Sequence, residues 1–314
     1  MFRIEQNKAR KMVSFPLQLV RSLFAIAEHA APRLAGRAAF ALFCRTPNPR
    51  RVSPRAREAL RAAEPFMMEA RRHWLTSDYG HFVCHEFRPP AGGRGWATAL
   101  VVHGWGSRGE HMRAIIEELR GKGMRVVALD LPGHGASTGR RLNMAMAVAA
   151  VKTAELWLGP FSIMVGHSLG GAVVVNAAVG SIEGIAPVAA QRLVTISAPN
   201  AMQNVFDSFA RHCGLGRSTR DAFYAEVERV TGRPLRAFEG AAQLTRLSVP
   251  VLVLHAPDDR EVSAADAEAL CRAGPHVERI WVEGAGHRRI LSDRRAVMQV
   301  GEFMARPFFL AAAQ

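Results

Sequence analysis

The 314-residue sequence has few of the features that mark membrane-spanning, metal-binding or disulfide-stabilised proteins. No apolar stretch approaches the roughly 20 residues that a membrane-spanning helix needs, and no internal repeat or low-complexity tract is present. Its four cysteines lie far apart, without a Cys-x-x-Cys pair or nearby histidines at zinc-ligand spacing. We therefore expect free, mostly buried thiols, which suit a reducing, cytoplasmic compartment, although an even number leaves a disulfide open.

Acidic residues are scarce at one end of the chain. The net charge is +14, and residues 1–61 contribute most of it, because they contain 13 Arg or Lys and three Glu. A basic excess can indicate nucleic-acid binding. However, the chain has only two tyrosines, and aromatic side chains do not alternate with the charges as a base-stacking platform requires. We therefore expect no nucleic-acid partner.

The basic N-terminal region contains a helical pattern with a broad apolar face. Apolar residues occupy positions 17, 19, 20, 23, 24, 26 and 27, which is the spacing of an amphipathic helix. An export signal is disfavoured because Gln18 and Arg21 interrupt the apolar run. The two other interpretations are a helix packed on the main domain and a basic helix in peripheral contact with an anionic membrane.

Beyond this region, strand patterns alternate with helical patterns. The predicted strands are Phe82–Phe87, Thr98–Val102, Arg125–Leu129, Phe161–Val165, Leu193–Ile196, Val251–Leu254 and Val277–Val282. The predicted helices among them are Glu110–Lys122, Met144–Leu158, Leu169–Gly180, Ala264–Ala273 and Arg294–Met304. Such alternation is typical of a mostly parallel, doubly wound sheet with helices on both faces. We predict this α/β domain over residues 71–314, after an Arg-rich helical extension over residues 1–70.

The segment Gly166-His167-Ser168-Leu169-Gly170 lies between a predicted strand and a predicted helix. Glycine two residues to either side permits a sharp, strained turn that pushes the Ser168 hydroxyl clear of the sheet. Because Ser168 begins a helix, N–H groups without intrahelical acceptors point toward negative charge forming beside its oxygen. Ser168 is therefore a candidate nucleophile, and the alternative is a helix N-cap between turn-forming glycines.

Two later strand ends carry titratable residues that would assist such a serine. Asp258 and Asp259 follow the strand Val251–Leu254, and His287 follows the strand Val277–Val282. The carboxyl ends of parallel strands meet at one edge of a sheet, where catalytic loops gather. We therefore expect His287 to be the base and one of the two carboxylates to orient it.

These motifs resemble those of the α/β-hydrolase superfamily, in its esterase and lipase branch, over about residues 80–305. In that family the catalytic residues occur along the chain in the order serine, acid and histidine, and the corresponding residues here are Ser168, Asp259 and His287. The family's acid-loop pattern, His-Gly-x-x-Asp-x-x-Val, overlays His255–Val262 with Ala256 in place of glycine. The resemblance thus implies Asp259 as the acid and leaves Asp258 as the alternative.

The resemblance also implies two main-chain donors for an oxyanion. In this family the residue after His-Gly at the end of the third strand donates its N–H, and here that residue is Trp105. The second donor is the N–H of Leu169. A further segment, Leu129–Ser137, resembles a family turn in which Asp130 and His134 organise loops rather than react.

The implied activity is hydrolysis of a small-molecule carboxylic ester with a small or medium acyl group, through an acyl-serine and without metal or organic cofactor. A thioesterase, a monoacylglycerol or lysophospholipid lipase and an acyltransferase would carry the same triad, so these remain open. A catalytically silent binding protein of the same fold is the non-enzymatic alternative, and the oligomeric state is also open. Haloalkane dehalogenation is opposed by serine at position 168, because it needs a carboxylate nucleophile.

About 50 residues separate Asn200 from the strand at Val251, and short helical patterns fill them. We expect residues 200–248, approximately, to form a helical cap that shapes a substrate pocket and excludes water. The candidate pocket residues are Trp105, Phe206, Phe209 and Phe223. Packing of cap helices on the sheet explains the three phenylalanines equally well.

Overall fold

A computed structural model describes residues 15–48, 53–90 and 97–306 of the chain. The helices are α1 (Phe15–Ala30), α2 (Pro32–Phe43), α3 (Pro54–Met68), α4 (Arg113–Gly121), α5 (Met144–Leu158), α6 (Leu169–Val179), α7 (Met202–Cys213), α8 (Arg217–Thr231), α9 (Gly240–Leu244), α10 (Ala264–Cys271), α11 (Gly286–Arg289) and α12 (Arg294–Ala305). The strands are β1 (Arg71–Ser77), β2 (Gly80–Phe87), β3 (Thr98–Val102), β4 (Arg125–Asp130), β5 (Ile163–His167), β6 (Arg192–Ile196), β7 (Val251–His255) and β8 (Val277–Trp281). None of these described helices has the length and apolar character needed to cross a membrane.

The strands form one eight-stranded sheet in the order β1-β2-β4-β3-β5-β6-β7-β8. Antiparallel pairs join β1 to β2 and β2 to β4, and every other neighbouring pair is parallel. This arrangement confirms the predicted mostly parallel α/β fold.

Both faces of the central strands are buried, as the apolar strand sequences predict. Val101 and Val165 belong to a core cluster that α4 and α12 complete, with Ile116 and Val300 among its members. The alternate residues, such as Leu100, point to the opposite face and are also fully buried, and α5 and α6 pack together against the sheet. The sheet is therefore doubly wound, and its carboxyl edge carries the loops that hold the predicted site residues.

The strand β1 was not predicted. Within Arg71–Ser77 only Leu75 is buried, because β1 is an edge strand that pairs with β2 alone. Its sequence therefore lacks the apolar alternation that reveals a strand. All seven predicted strands are present as β2–β8, with ends shifted by at most two residues.

The chain forms two compact units whose boundaries differ from the predicted ones. A helical unit contains residues 15–43 together with Asn204–Glu226, and an α/β unit contains the remaining described residues, from Cys44 to Gln203 and from Val227 to 306. The first two helices thus belong with part of the predicted cap, whereas α3 and the segment after Glu226 belong to the α/β unit.

Close helix packing and end-capping explain this grouping. A Cβ at Gly36 would lie 2.5 Å from Cβ of Ala222. The helices α2 and α8 therefore approach each other so closely at this point that only glycine fits at position 36. The carboxylate of Glu28 accepts hydrogen bonds from the N–H groups of Ser218 and Thr219 at 2.8 and 2.9 Å, which satisfies the amino end of α8. These contacts join segments about 190 residues apart, a distance over which sequence periodicity carries no signal.

Candidate active site

Ser168 lies in the tight turn between β5 and α6 with a φ of 53°, a left-handed conformation that L-residues rarely adopt. A Cβ at Gly166 would lie 2.2 Å from the carbonyl oxygen of Gly170. A Cβ at Gly170 would lie 2.2 Å from the carbonyl oxygen of Val102. Both positions therefore require glycine, as the motif predicts. The side chain of Ser168 makes no N-cap hydrogen bond, which argues against the N-cap interpretation.

His287 connects Ser168 to Asp259 through two hydrogen bonds. Its Nε2 atom lies 3.1 Å from Oγ of Ser168, and its Nδ1 atom lies 2.8 Å from Oδ2 of Asp259. Ser168 follows β5, Asp259 follows β7, and His287 lies in α11 after β8. The parallel sheet thus brings three side chains from distant parts of the sequence to one edge.

The surroundings of Asp259 keep its carboxyl group ionised. Burial raises its pKa, but hydrogen bonds from His287 and from the N–H groups of Val262 and Glu261 outweigh this effect and lower the pKa to about 2. The two N–H groups bind Oδ1 at 2.9 and 2.8 Å, and Oδ2 remains for the imidazole. Because a carboxylate only accepts, Nδ1 of His287 carries the proton and Nε2 presents its lone pair to Ser168.

Asp258 has a different partner. Its Oδ1 atom accepts a hydrogen bond from the N–H of Gly286 at 3.2 Å, one residue before His287. Asp258 therefore shapes the loop that carries the imidazole, and the geometry favours Asp259 over Asp258 as the acid.

Gly104 brings the loop after β3 against Ser168. A Cβ at Gly104 would lie 2.9 Å from Cβ of Ser168. The main chain therefore passes beside the serine at Gly104, the residue before Trp105. The N–H of Gly106 donates to Nε2 of His134 at 3.0 Å and fixes this loop. Leu169 is the first residue of α6, so its N–H has no intrahelical acceptor. Of the two predicted oxyanion donors, Leu169 thus follows Ser168 along the chain, and Trp105 follows the glycine that lies against Ser168.

Two buried polar side chains, His103 and Asp130, stabilise this loop through hydrogen bonds to main-chain groups. His103 donates from Nδ1 to the carbonyl oxygen of Gly104 at 2.8 Å and accepts at Nε2 from the N–H of Leu131 at 3.1 Å. The buried Asp130 carboxylate accepts the N–H groups of Gly109 and Ala136 at 2.8 Å each. These contacts give Asp130 the loop-organising role that the resemblance implies, and they place His103 in the same role.

Two further side chains contact His287, and neither contact was predicted from the sequence. His167, buried beside Ser168, donates from Nε2 to the main-chain oxygen of His287 at 2.8 Å, and burial lowers its pKa to about 4. Glu261 places Oε2 3.8 Å from Nε2 of His287 and pairs with Arg288 at 3.0 Å. Both contacts join residues at the ends of different strands, so only the folded sheet reveals them.

The phenylalanines proposed for the pocket pack within the helical unit. Phe206 and Phe223 are 5% and 0% exposed, and their rings stack with centroids 4.9 Å apart. The ring of Phe43 on α2 lies 4.3 Å from Phe206 and 5.2 Å from Phe209. Packing within the helical unit, in which α2 takes part, therefore accounts for these side chains. In contrast, Trp105 is 40% exposed and its ring has surface available to a ligand.

Known proteins share this architecture. The model of the alpha/beta hydrolase family matches residues 99–300. The pimeloyl-(acyl-carrier protein) methyl ester esterase of Xanthomonas campestris pv. campestris is 29% identical over 242 residues, which cover 65% of this chain and 94% of that protein. The enzyme of the same name from Xanthomonas oryzae pv. oryzae is 28% identical over 240 residues, with the same coverage.

Solved structures show the same fold at lower identity. The esterase domain of a Rhodothermus marinus protein aligns with a TM-score of 0.52 at 24% identity, over 75% of this chain and 96% of that domain. A thermophilic esterase from Thermogutta terrifontis aligns with a TM-score of 0.54 at 19% identity, over 75% of this chain and 98% of that protein.

Proposed function

The chain belongs to the alpha/beta hydrolase family and is a hydrolase of esterase type, and we propose that it cleaves a carboxylic ester of a small or medium acyl group through an acyl-serine. The hydrogen-bond chain from Oγ of Ser168 through His287 to Asp259 carries this proposal. A nucleophile, a base and an orienting acid in that order are what acyl transfer from an ester requires.

In the acylation step, Nε2 of His287 takes the proton of Ser168 while Oγ attacks the carbonyl carbon of the ester. Asp259 stabilises the imidazolium that forms. The N–H groups of Trp105 and Leu169 donate to the developing oxyanion, and one such donor contributes about 3 kcal/mol in comparable enzymes. His287 then returns the proton to the leaving alcohol oxygen as the carbon–oxygen bond breaks, which leaves the acyl group on Ser168.

Deacylation repeats the sequence with water as the nucleophile. His287 takes a proton from water as its oxygen attacks the acyl-serine, and the tetrahedral intermediate releases the carboxylic acid as Oγ recovers its proton. The balance of the two steps is one ester and one water consumed, and one alcohol and one acid released. An acceptor alcohol in place of water would give acyl transfer with the same side chains.

The names of the Xanthomonas relatives add one specific candidate, the methyl ester of an acyl chain on a carrier protein. Methanol is a small leaving group that offers few contacts, so recognition of such a substrate depends mainly on the part of the site that binds the acyl group. The ring of Trp105, which is exposed and follows Gly104 beside Ser168, is our candidate contact for that acyl group.

A substrate panel with a matched variant tests the proposal. Wild type and Ser168→Ala are assayed against p-nitrophenyl esters of increasing acyl length, acyl methyl esters and acyl thioesters, with and without added alcohol. We expect ester hydrolysis by wild type, labelling of Ser168 by a fluorophosphonate probe, and a loss of roughly 10⁴-fold or more in kcat for the variant. An unlabelled Ser168 in folded protein, or an alanine variant with wild-type turnover, would overturn the acyl-serine mechanism. Preferred thioester cleavage would transfer the assignment to a thioesterase.

A further inference from the structure

We propose that the outer face of α1 is a docking surface for an anionic lipid bilayer. The broad apolar face of the helix Phe15–Ala30 is buried on its inner half and exposed on its outer half. Phe24, on the inner face, is 9% exposed. Leu19, Leu23 and Ile26 lie on the outer face and are 53%, 58% and 69% exposed.

The three outer residues, Leu19, Leu23 and Ile26, form a continuous stripe. Their spacing of four and then three residues places them one above the other on an α-helix, over about 10 Å of its length. Scattered exposed leucines are ordinary, but a row of large apolar side chains on one helical face indicates an interaction surface. We call this row the α1 stripe.

Hydrogen bonds hold the α1 stripe in place before any ligand arrives. Within the helical unit, Nε of Arg21 donates to the carbonyl oxygen of His212 at 2.9 Å, at the end of α7. Glu28 accepts from Ser218 and Thr219 at the start of α8. These bonds anchor α1 from its inner side and leave the stripe turned outward, so binding requires no folding of the helix.

The positive charge of the residues near α1 in sequence favours an anionic partner. Four basic residues and one acidic residue precede α1 within the first 11 positions, Arg3, Lys8, Arg10 and Lys11 against Glu5. Arg33, at the start of α2, adds an exposed cation. An apolar stripe on a helix that a cationic sequence precedes matches an interface of acyl chains and anionic headgroups. A second copy of this chain would instead bring two segments of the same charge together, which Coulomb repulsion opposes.

Vesicle flotation with the full chain tests this docking surface. Vesicles of phosphatidylcholine with 30% phosphatidylglycerol are compared with vesicles of phosphatidylcholine alone, and the variants are Leu19→Ser/Leu23→Ser/Ile26→Ser and Lys8→Gln/Arg10→Gln/Lys11→Gln. We expect wild type to bind the anionic vesicles and to dissociate as salt rises, and both triple variants to bind at least about tenfold more weakly.

A matched control removes equally exposed apolar residues elsewhere. Leu156 and Trp157 on α5, in the α/β unit, are each 73% exposed, and Leu156→Ser/Trp157→Ser should leave vesicle binding at the wild-type level. Circular dichroism and hydrolysis of a small soluble ester verify that each variant is folded. The proposal does not rest on the catalytic assignment, because binding is measured without turnover.

Three outcomes would overturn the proposal. The first is absence of binding by wild type to anionic vesicles. The second is equal binding by wild type and the serine variant of the α1 stripe. The third is a wild-type dimer in sedimentation equilibrium that the same variant converts to a monomer without any lipid binding, which would show that a second copy covers the stripe.

Discussion

Nδ1 of His287 lies 2.8 Å from Oδ2 of Asp259, whereas Asp258, the preceding residue in the same loop, binds the main chain of Gly286. One position in sequence thus separates a carboxylate that contacts the imidazole from one that shapes its loop. Chemically identical side chains can therefore be compared directly.

Substitution of asparagine at each position should distinguish the roles of the two carboxylates by its effect on kcat. We expect Asp259→Asn to lower kcat by about 10⁴-fold, because an amide in place of the carboxylate favours the wrong imidazole tautomer and no longer stabilises the imidazolium. Asp258→Asn keeps an oxygen for the N–H of Gly286 and should retain most of the activity. Steady-state kinetics on one soluble ester measure both, and a larger loss in the Asp258 variant would reverse the assignment.

The sequence predicted that Ser168, Asp259 and His287 would lie together, because each of them follows a strand. Strand ends are recognisable from buried apolar runs, and in a parallel sheet they meet at one edge. What the sequence left open was the choice between Asp258 and Asp259, because the periodicity of the chain does not determine which of two adjacent loop side chains points at an imidazole. The contacts of His167 and Glu261 were missed for the same reason.

The close approach of Gly104 to Ser168 leads to a second prediction. A methyl group at position 104 would lie 2.9 Å from Cβ of Ser168 and 3.2 Å from the carbonyl oxygen of His167, so Gly104→Ala must displace the loop that carries the Trp105 N–H. Loss of one oxyanion donor lowers kcat by about 10² to 10³-fold, and we expect a decrease approaching that range.

Trp105→Ala is the matched control for Gly104→Ala, because it removes a side chain and keeps the main-chain donor. For a short acyl ester its kcat should stay close to that of wild type, and any effect should appear in KM for longer acyl groups. Active-site titration with a fluorophosphonate corrects both variants for folded enzyme. If alanine at 105 lowered kcat as much as alanine at 104, the main-chain N–H would not be the relevant group.

Residues of α2 should contribute to the stability of the helical unit. Phe40 is 8% exposed, and its ring centroid lies 6.3 Å from that of Phe223 on α8. We expect Phe40→Ala to lower the free energy of unfolding by about 3 kcal/mol, through lost burial and an unfilled cavity. Leu42→Ala, on the same helix but 37% exposed, should cost clearly less. Urea unfolding followed by circular dichroism measures both, and equal losses would contradict the burial of Phe40 between α2 and α8.

The sequence predicted the helices of this unit but not their association. Apolar spacing shows that α1 has a broad apolar face, yet the structure buries Phe24 and exposes Leu23 and Ile26. Which half of such a face is covered depends on partner helices that lie some 190 residues later in the chain. Local propensity therefore gives the element, and only the tertiary contacts give its surroundings.

The buried histidines beneath the site should make stability depend on pH. Burial, the largest effect, lowers the pKa of His103 to about 4, although the Asp130 carboxylate acts in the opposite direction. In the unfolded chain a histidine has a pKa of about 6.5. Between these values the unfolded chain binds a proton that the folded protein does not. The free energy of unfolding therefore falls as the pH decreases from about 6.5 toward 4, by up to about 3 kcal/mol for this residue.

Urea unfolding at pH 7 and pH 4.5 measures this pH dependence, and His103→Gln provides the comparison. The glutamine side-chain oxygen can still accept the N–H of Leu131, which Nε2 of His103 accepts in the wild type. The variant should therefore fold, with a lower stability at pH 7 and a smaller loss on acidification. His167, whose pKa is also lowered to about 4 by burial, continues to contribute in both proteins. An acid-induced loss as large in the variant as in wild type would show that His103 is not held neutral in the fold.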